Sequence, residues 1–137
     1  MRPKSESSLS AAAAPAAAET VTVFAHTSLD AHRVALEALV RGDAIARKLP
    51  RGYGPLRDQL SRALQSAYLQ TDEGAAKSGA ERRVRLSSAR AEAGEAAAAL
   101  EAVVALGLGS RSEGQAVMVL LSRLCAMLTG LCKKAGG

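Results

Sequence analysis

The side chains able to do chemistry in this chain are few and widely spaced. Two histidines, His26 and His32, two cysteines, Cys125 and Cys132, and one adjacent acidic pair, Asp72-Glu73, are the candidates. A metal site on a helix needs a register such as His-x-x-x-His or Glu-x-x-His, which presents two donors on one face, and neither occurs. His32 is therefore expected to be a packed imidazole. Cys125 and Cys132 lie seven apart, on one helix face but too far along the axis for a disulfide, and read as reduced core residues of a cytoplasmic protein. Adjacent carboxylates on a helix point in different directions, and no base or nucleophile accompanies Asp72-Glu73, so a helix-end or inter-subunit polar contact is expected there. Gly107-Leu108-Gly109 follows a helical pattern and carries no lysine motif, so these are connector glycines and not a phosphate loop. The sequence thus points to a non-enzymatic protein with no metal and no cofactor.

The basic residues carry more. Eighteen Lys and Arg stand against thirteen Asp and Glu, a net of +5. If four helices run up and down in turn, the end of the first, the start of the second and the connection between the last two share one end of the rod. That end collects Arg47, Lys48, Arg51, Arg57 and Arg111, opposed mainly by Asp58 and Glu113. Lys77, Arg82, Arg83, Lys133 and Lys134 fall at the other end, with Asp30, Asp72, Glu73 and Glu81 nearby. The first cluster is the candidate nucleic-acid contact, acting by phosphate neutralisation. The competing reading is a solvated, solubilising rim. Tyr53 is the one aromatic residue available there, so sequence-specific base stacking is not expected.

The elements that must position these residues follow from composition. Hydrophobic residues make up 48% of 137, but thirty of them are alanine, and Phe24, Tyr53 and Tyr68 are the only aromatics. Nine Val and one Ile are too few for an extensive sheet, so an all-α fold is expected. No uninterrupted apolar run approaches the roughly 18 to 20 residues of a membrane span, which argues against an integral membrane protein. Residues 1–28, rich in Ser and Ala, show no repeating apolar face and read as a disordered tail. A signal peptide is the rival reading, weakened by Pro15 and by Leu9 being the only large apolar group in the run.

A bundle domain is then expected over residues 29–135. The first helix spans about Leu29 to Leu49, with Ser28 as N-cap, Leu29, His32, Leu36, Leu39 and Val40 inward, and Pro50-Arg51-Gly52 as the stop. The second begins near Pro55, places Leu56, Leu60, Ala63, Leu64 and Ala67 on one stripe and ends around Gly74. The third, about Ala80 to Leu106, directs Val84, Ala89, Ala93, Ala96, Ala97, Leu100, Val103 and Val104 inward. A capping box at Ser110 and Glu113 starts the fourth, whose Val117, Leu121, Leu124, Leu128 and Leu131 alternate in steps of four and three. Together they predict an antiparallel up-down-up-down four-helix bundle. Alanine faces bury little area per residue, so self-association is expected to complete the burial.

Several short motifs, in order, resemble the bacterial four-helix-bundle proteins named for 23S rRNA intervening sequences. They are Lys48-Leu49-Pro50, Tyr53-Gly54 followed by Asp58-Gln59-Leu60 and Arg62-Ala63, Glu73-Gly74, Ala93 with Glu95, Leu106-Gly107, and Met127-Leu128-Thr129-Gly130-Leu131. The resemblance covers roughly residues 29–134. It departs from the family pattern at His32, a position usually aromatic, and at Ser66-Ala67-Tyr68. The resemblance implies a homopentamer without catalytic activity. It also implies kinship with the accessory variability proteins of diversity-generating retroelements, which are basic pentamers that associate with a reverse transcriptase and nucleic acid. The expected partners are other copies of the chain, RNA or a ribonucleoprotein, or a docked enzyme such as a reverse transcriptase, with no membrane.

Overall fold

The computed structural model describes the backbone of residues 19–136 and the side chains of residues 28–134. It is all-helical, with four helices and no strand among the described residues: α1 (Glu19–Arg47), α2 (Gly54–Ala76), α3 (Gly79–Ala105) and α4 (Arg111–Gly136). Each helix packs against two others, α1 on α2 and α4, and α3 on α2 and α4, which is the adjacency of a four-helix bundle.

The first helix begins at Glu19, not Leu29, so Ser28 lies inside α1 and caps nothing. No Gly or Pro lies between Glu19 and Leu29, so nothing stops the helix from extending upstream of the apolar repeat. The part of the expected tail before Glu19, and the side chain of Phe24, lie outside the described residues.

α1 also turns a different face inward. Its buried residues are Ala31, Val34, Ala35, Ala38, Gly42 and Ala46, whereas Leu29, Leu36 and Val40 are exposed by 43%, 40% and 61%. The physical reason is proximity: small residues let the neighbouring helices approach, and a leucine stripe in that position would hold them apart. In α2, Leu60, Ala63, Leu64 and Ala67 are buried as expected, with Leu56 at the margin. In α3, Ala89, Ala93, Ala96, Leu100 and Val103 face inward, but Val84 is 63% exposed and Leu86 fills the core in its place. All five expected α4 residues, Val117, Leu121, Leu124, Leu128 and Leu131, are fully buried.

Glycines set the closest approaches. A Cβ on Gly42 would stand 2.5 Å from Leu64 Cδ1, one on Gly74 2.6 Å from Leu86 Cδ2, and one on Gly114 2.7 Å from Val104 Cγ2. One such contact therefore lies in the α1/α2, α2/α3 and α3/α4 seams, and each places a leucine or valine where a side chain on the facing helix has no room.

One described helix stretch, Arg111–Lys134, is long and apolar enough to cross a membrane by length and composition, with a mean hydropathy of 1.7. Its five periodic large side chains are those buried against the other helices.

Candidate nucleic-acid interface

The basic end is built by three chain turns. α1 closes as the Lys48 N–H donates to the Ile45 carbonyl at 3.1 Å and the Leu49 N–H to the Ala46 carbonyl at 3.1 Å. Leu49 is buried, and Pro50 prevents the helix from continuing. Gly52 adopts φ 102°, a left-handed value that suits glycine, and turns the chain into α2 with exposed Arg51 at the bend. Arg57 Nη2 then reaches back to the Leu49 carbonyl at 3.3 Å, tying the first turn of α2 to the end of α1.

The third turn joins α3 to α4. The Leu108 N–H donates to the Val103 carbonyl and the Gly107 N–H to the Val104 carbonyl, both at 3.0 Å, with Gly107 at φ 73°, which is a Schellman closure. Ser110 Oγ accepts the Glu113 N–H at 3.1 Å and caps α4. The reciprocal half of the expected capping box is not made. The Glu113 carboxylate instead accepts Arg41 Nε and Nη2, both at 2.9 Å.

Between α1 and the α3–α4 connection lies a crevice of about 290 Å³, with Ile45, Lys48 and Leu49 on one side and Gly109, Ser110 and Glu113 on the other. Lys48 and the residue preceding Arg111 thus share one crevice, and Arg57 is fixed to the chain next to it. Of the five predicted site residues, Lys48, Arg51 and Arg111 are exposed and have no carboxylate partner among the described residues. Arg47 is engaged by Asp43, Nε to Oδ2 at 2.7 Å, and Arg57 by the Leu49 carbonyl.

The opposing acids are fewer than the sequence suggested. Arg41, which sequence reasoning missed, binds both Glu113 and Glu37. Its hydrogen bonds with them raise its pKa, and its hydrogen bond to Glu113 holds that carboxyl below the usual range. Arg41 and Glu113 stand 72 residues apart, so no local spacing could have shown the pair. Asp58 remains exposed. Tyr53, the aromatic at this end, is half-buried.

Elsewhere the candidate groups separate. His32 Nδ1 lies 3.5 Å from Asp72 Oδ1, and its ring tilts 53° against Tyr68 at 5.3 Å. Glu73 turns instead toward Arg85 on α3, at 3.8 Å, so the adjacent carboxylates address different helices. Both cysteines are free thiols in the α3/α4 seam, Cys125 Sγ donating to the Arg90 carbonyl at 3.7 Å and Cys132 Sγ to the Arg83 carbonyl at 3.9 Å. Burial pushes the Cys125 thiol up from its ordinary pKa. Arg62 donates to Glu92 and Glu95 across the α2/α3 seam. No three His, Cys, Asp or Glu side chains gather as a metal-holding group among the described residues. Lys77, Arg83, Lys133 and Lys134 likewise have no carboxylate partner there, so the second basic region is less balanced by acids than the sequence indicated. Searches against protein-family models and against curated proteins return no match.

Proposed function

We propose that this chain is a non-enzymatic, nucleic-acid-binding four-helix bundle whose helices run up-down-up-down and antiparallel. Its basic end would contact the phosphates of structured RNA or of a ribonucleoprotein. Short connections and the pairing of Arg41, late in α1, with Glu113, early in α4, support that topology. One observation carries the function. Lys48, Arg51 and Arg111 are exposed without carboxylate partners, while the adjacent acids Asp43 and Glu113 are each occupied by a different arginine and exposed Asp58 is left to oppose the three cations. The outward potential of this end is therefore positive, and it suits polyanion contact without base readout. The motif resemblance supports the same reading and adds a homopentameric, cytoplasmic assembly, which would repeat the basic end around a ring.

Reversing Lys48, Arg51 and Arg111 together to Glu tests it. RNA retention should be lost while the mass of the assembly and its helical spectrum stay unchanged. Retention equal to that of the unaltered protein rejects the proposal.

A second reading, an adaptor that docks a partner enzyme such as a reverse transcriptase, is favoured by Leu106, a large apolar residue 54% exposed in the same α3–α4 connection. Added salt should weaken phosphate contact steeply and leave apolar docking nearly intact.

A further inference from the structure

The face of α1 turned away from the core holds three exposed large apolar side chains, Leu29, Leu36 and Val40, more than any other described helix presents. Arg33 and Asp43 flank them, and Arg47 follows. Their spacing has a property that burial alone does not require: the stripe is complementary to itself read backwards. When two α1 helices lie antiparallel about a two-fold axis level with residue 38, Leu36 meets Val40 of the second copy, Arg33 meets Asp43, and Leu29 meets the methylene stem of Arg47. Each pairing occurs twice, as an isologous contact demands.

The charges are able to serve. Arg33 reaches its neighbour Asp30 only at 3.8 Å, and Asp43 accepts a single hydrogen bond, through Oδ2 from Arg47, which leaves Oδ1 available. Parallel pairing in the same register would set Arg33 against Arg33 and Asp43 against Asp43, a like-charge arrangement on both flanks. The charge order therefore selects the antiparallel alignment.

We infer that the outward face of α1 is a self-association surface, on which a second copy of this chain docks antiparallel about a two-fold axis near residue 38. The inference shares Arg47 with the basic end, through its methylene stem and its bond to Asp43, but none of Lys48, Arg51 and Arg111 takes part, so their variants leave it untouched. It is also separate from ring assembly: a two-fold contact closes at two copies, whereas a five-membered ring needs a heterologous contact elsewhere. A single helix pair falls at the small end of specific interfaces, below about 1,200 Å² in total, so association should depend on protein concentration.

The test is a charge swap read by light scattering over a concentration series, with circular dichroism to establish that every variant is folded. Arg33→Asp alone and Asp43→Arg alone should each shift the dissociation of copies to higher protein concentration, and the double variant Arg33→Asp/Asp43→Arg should restore the original behaviour. A monomeric parent protein at every concentration, single variants that associate like the parent, or a folded double variant that fails to recover would each overturn the inference.

Discussion

Arg41 on α1 holds both carboxylate oxygens of Glu113 at the start of α4, Nε to Oε2 and Nη2 to Oε1, each at 2.9 Å. The pair joins the first helix to the last and withdraws an acid from the basic end. It also makes stability depend on pH with a definite sign. The hydrogen bond from Arg41 lowers the pKa of Glu113 in the folded chain, so its contribution is present above the ordinary carboxylate value, about 4.3, and is lost as pH falls through the folded value. Both side chains are more than a third exposed, so Glu113→Gln should cost under about 1 kcal/mol at neutral pH. Thermal melts from neutral to acidic pH should show a shallower acid limb in the variant, and identical limbs would contradict the assignment.

Two glycines in helices should respond to alanine with opposite signs. Gly42→Ala drives a methyl toward Leu64, itself buried in the core, and should destabilise by about 1–3 kcal/mol. Gly94 faces open space, so Gly94→Ala should stabilise by roughly 0.5–1 kcal/mol through helix propensity alone. Urea midpoints for the two variants measure the contrast directly.

Burial separates similar residues on the same helix. Leu124 is fully buried in α4, and Leu124→Ala should cost about 2–5 kcal/mol, since the alanines beside the core leucines cannot fill the space it leaves. Val119 is 61% exposed, and Val119→Ala should stay within about 0.5 kcal/mol of the parent. Equal effects would mean that the two faces of α4 have been assigned wrongly.

The Cys125 thiol should alkylate slowly. Burial raises its pKa and so depletes the reactive thiolate near neutral pH. Mass spectrometry after timed iodoacetamide exposure should show Cys125 modified more slowly in the folded protein than in urea.

Sequence periodicity recovered α2 and α4 well because their buried stripes contain leucines that the eye and the arithmetic weigh heavily. It misread α1 for the same reason. Leu36 and Val40 outweigh Ala31, Ala35 and Ala38 on any hydropathy scale, yet close helix approach favours the alanines, and that preference is a property of the neighbouring helices. Val84 and Leu86 traded places for a similar reason: two residues apart on a helix, they face different directions, and only the position of α2, with Gly74 against Leu86, decides which is core. At the basic end, the turn glycines, the proline stop and the Ser110 cap were legible locally. Arg41, Glu113 and the tie from Arg57 to Leu49 were not, since these contacts depend on how the helix ends meet.

The most direct measurement is RNA affinity against salt for the parent protein and for the variant Lys48→Glu/Arg51→Glu/Arg111→Glu, using an RNA hairpin of arbitrary sequence. If these side chains neutralise phosphates, affinity of the parent should fall steeply and log-linearly between about 50 and about 200 mM salt, and the variant should bind weakly with a flatter slope. An affinity in the parent that ignores salt, or a variant whose slope matches the parent's, would contradict a phosphate-binding role for this end of the bundle.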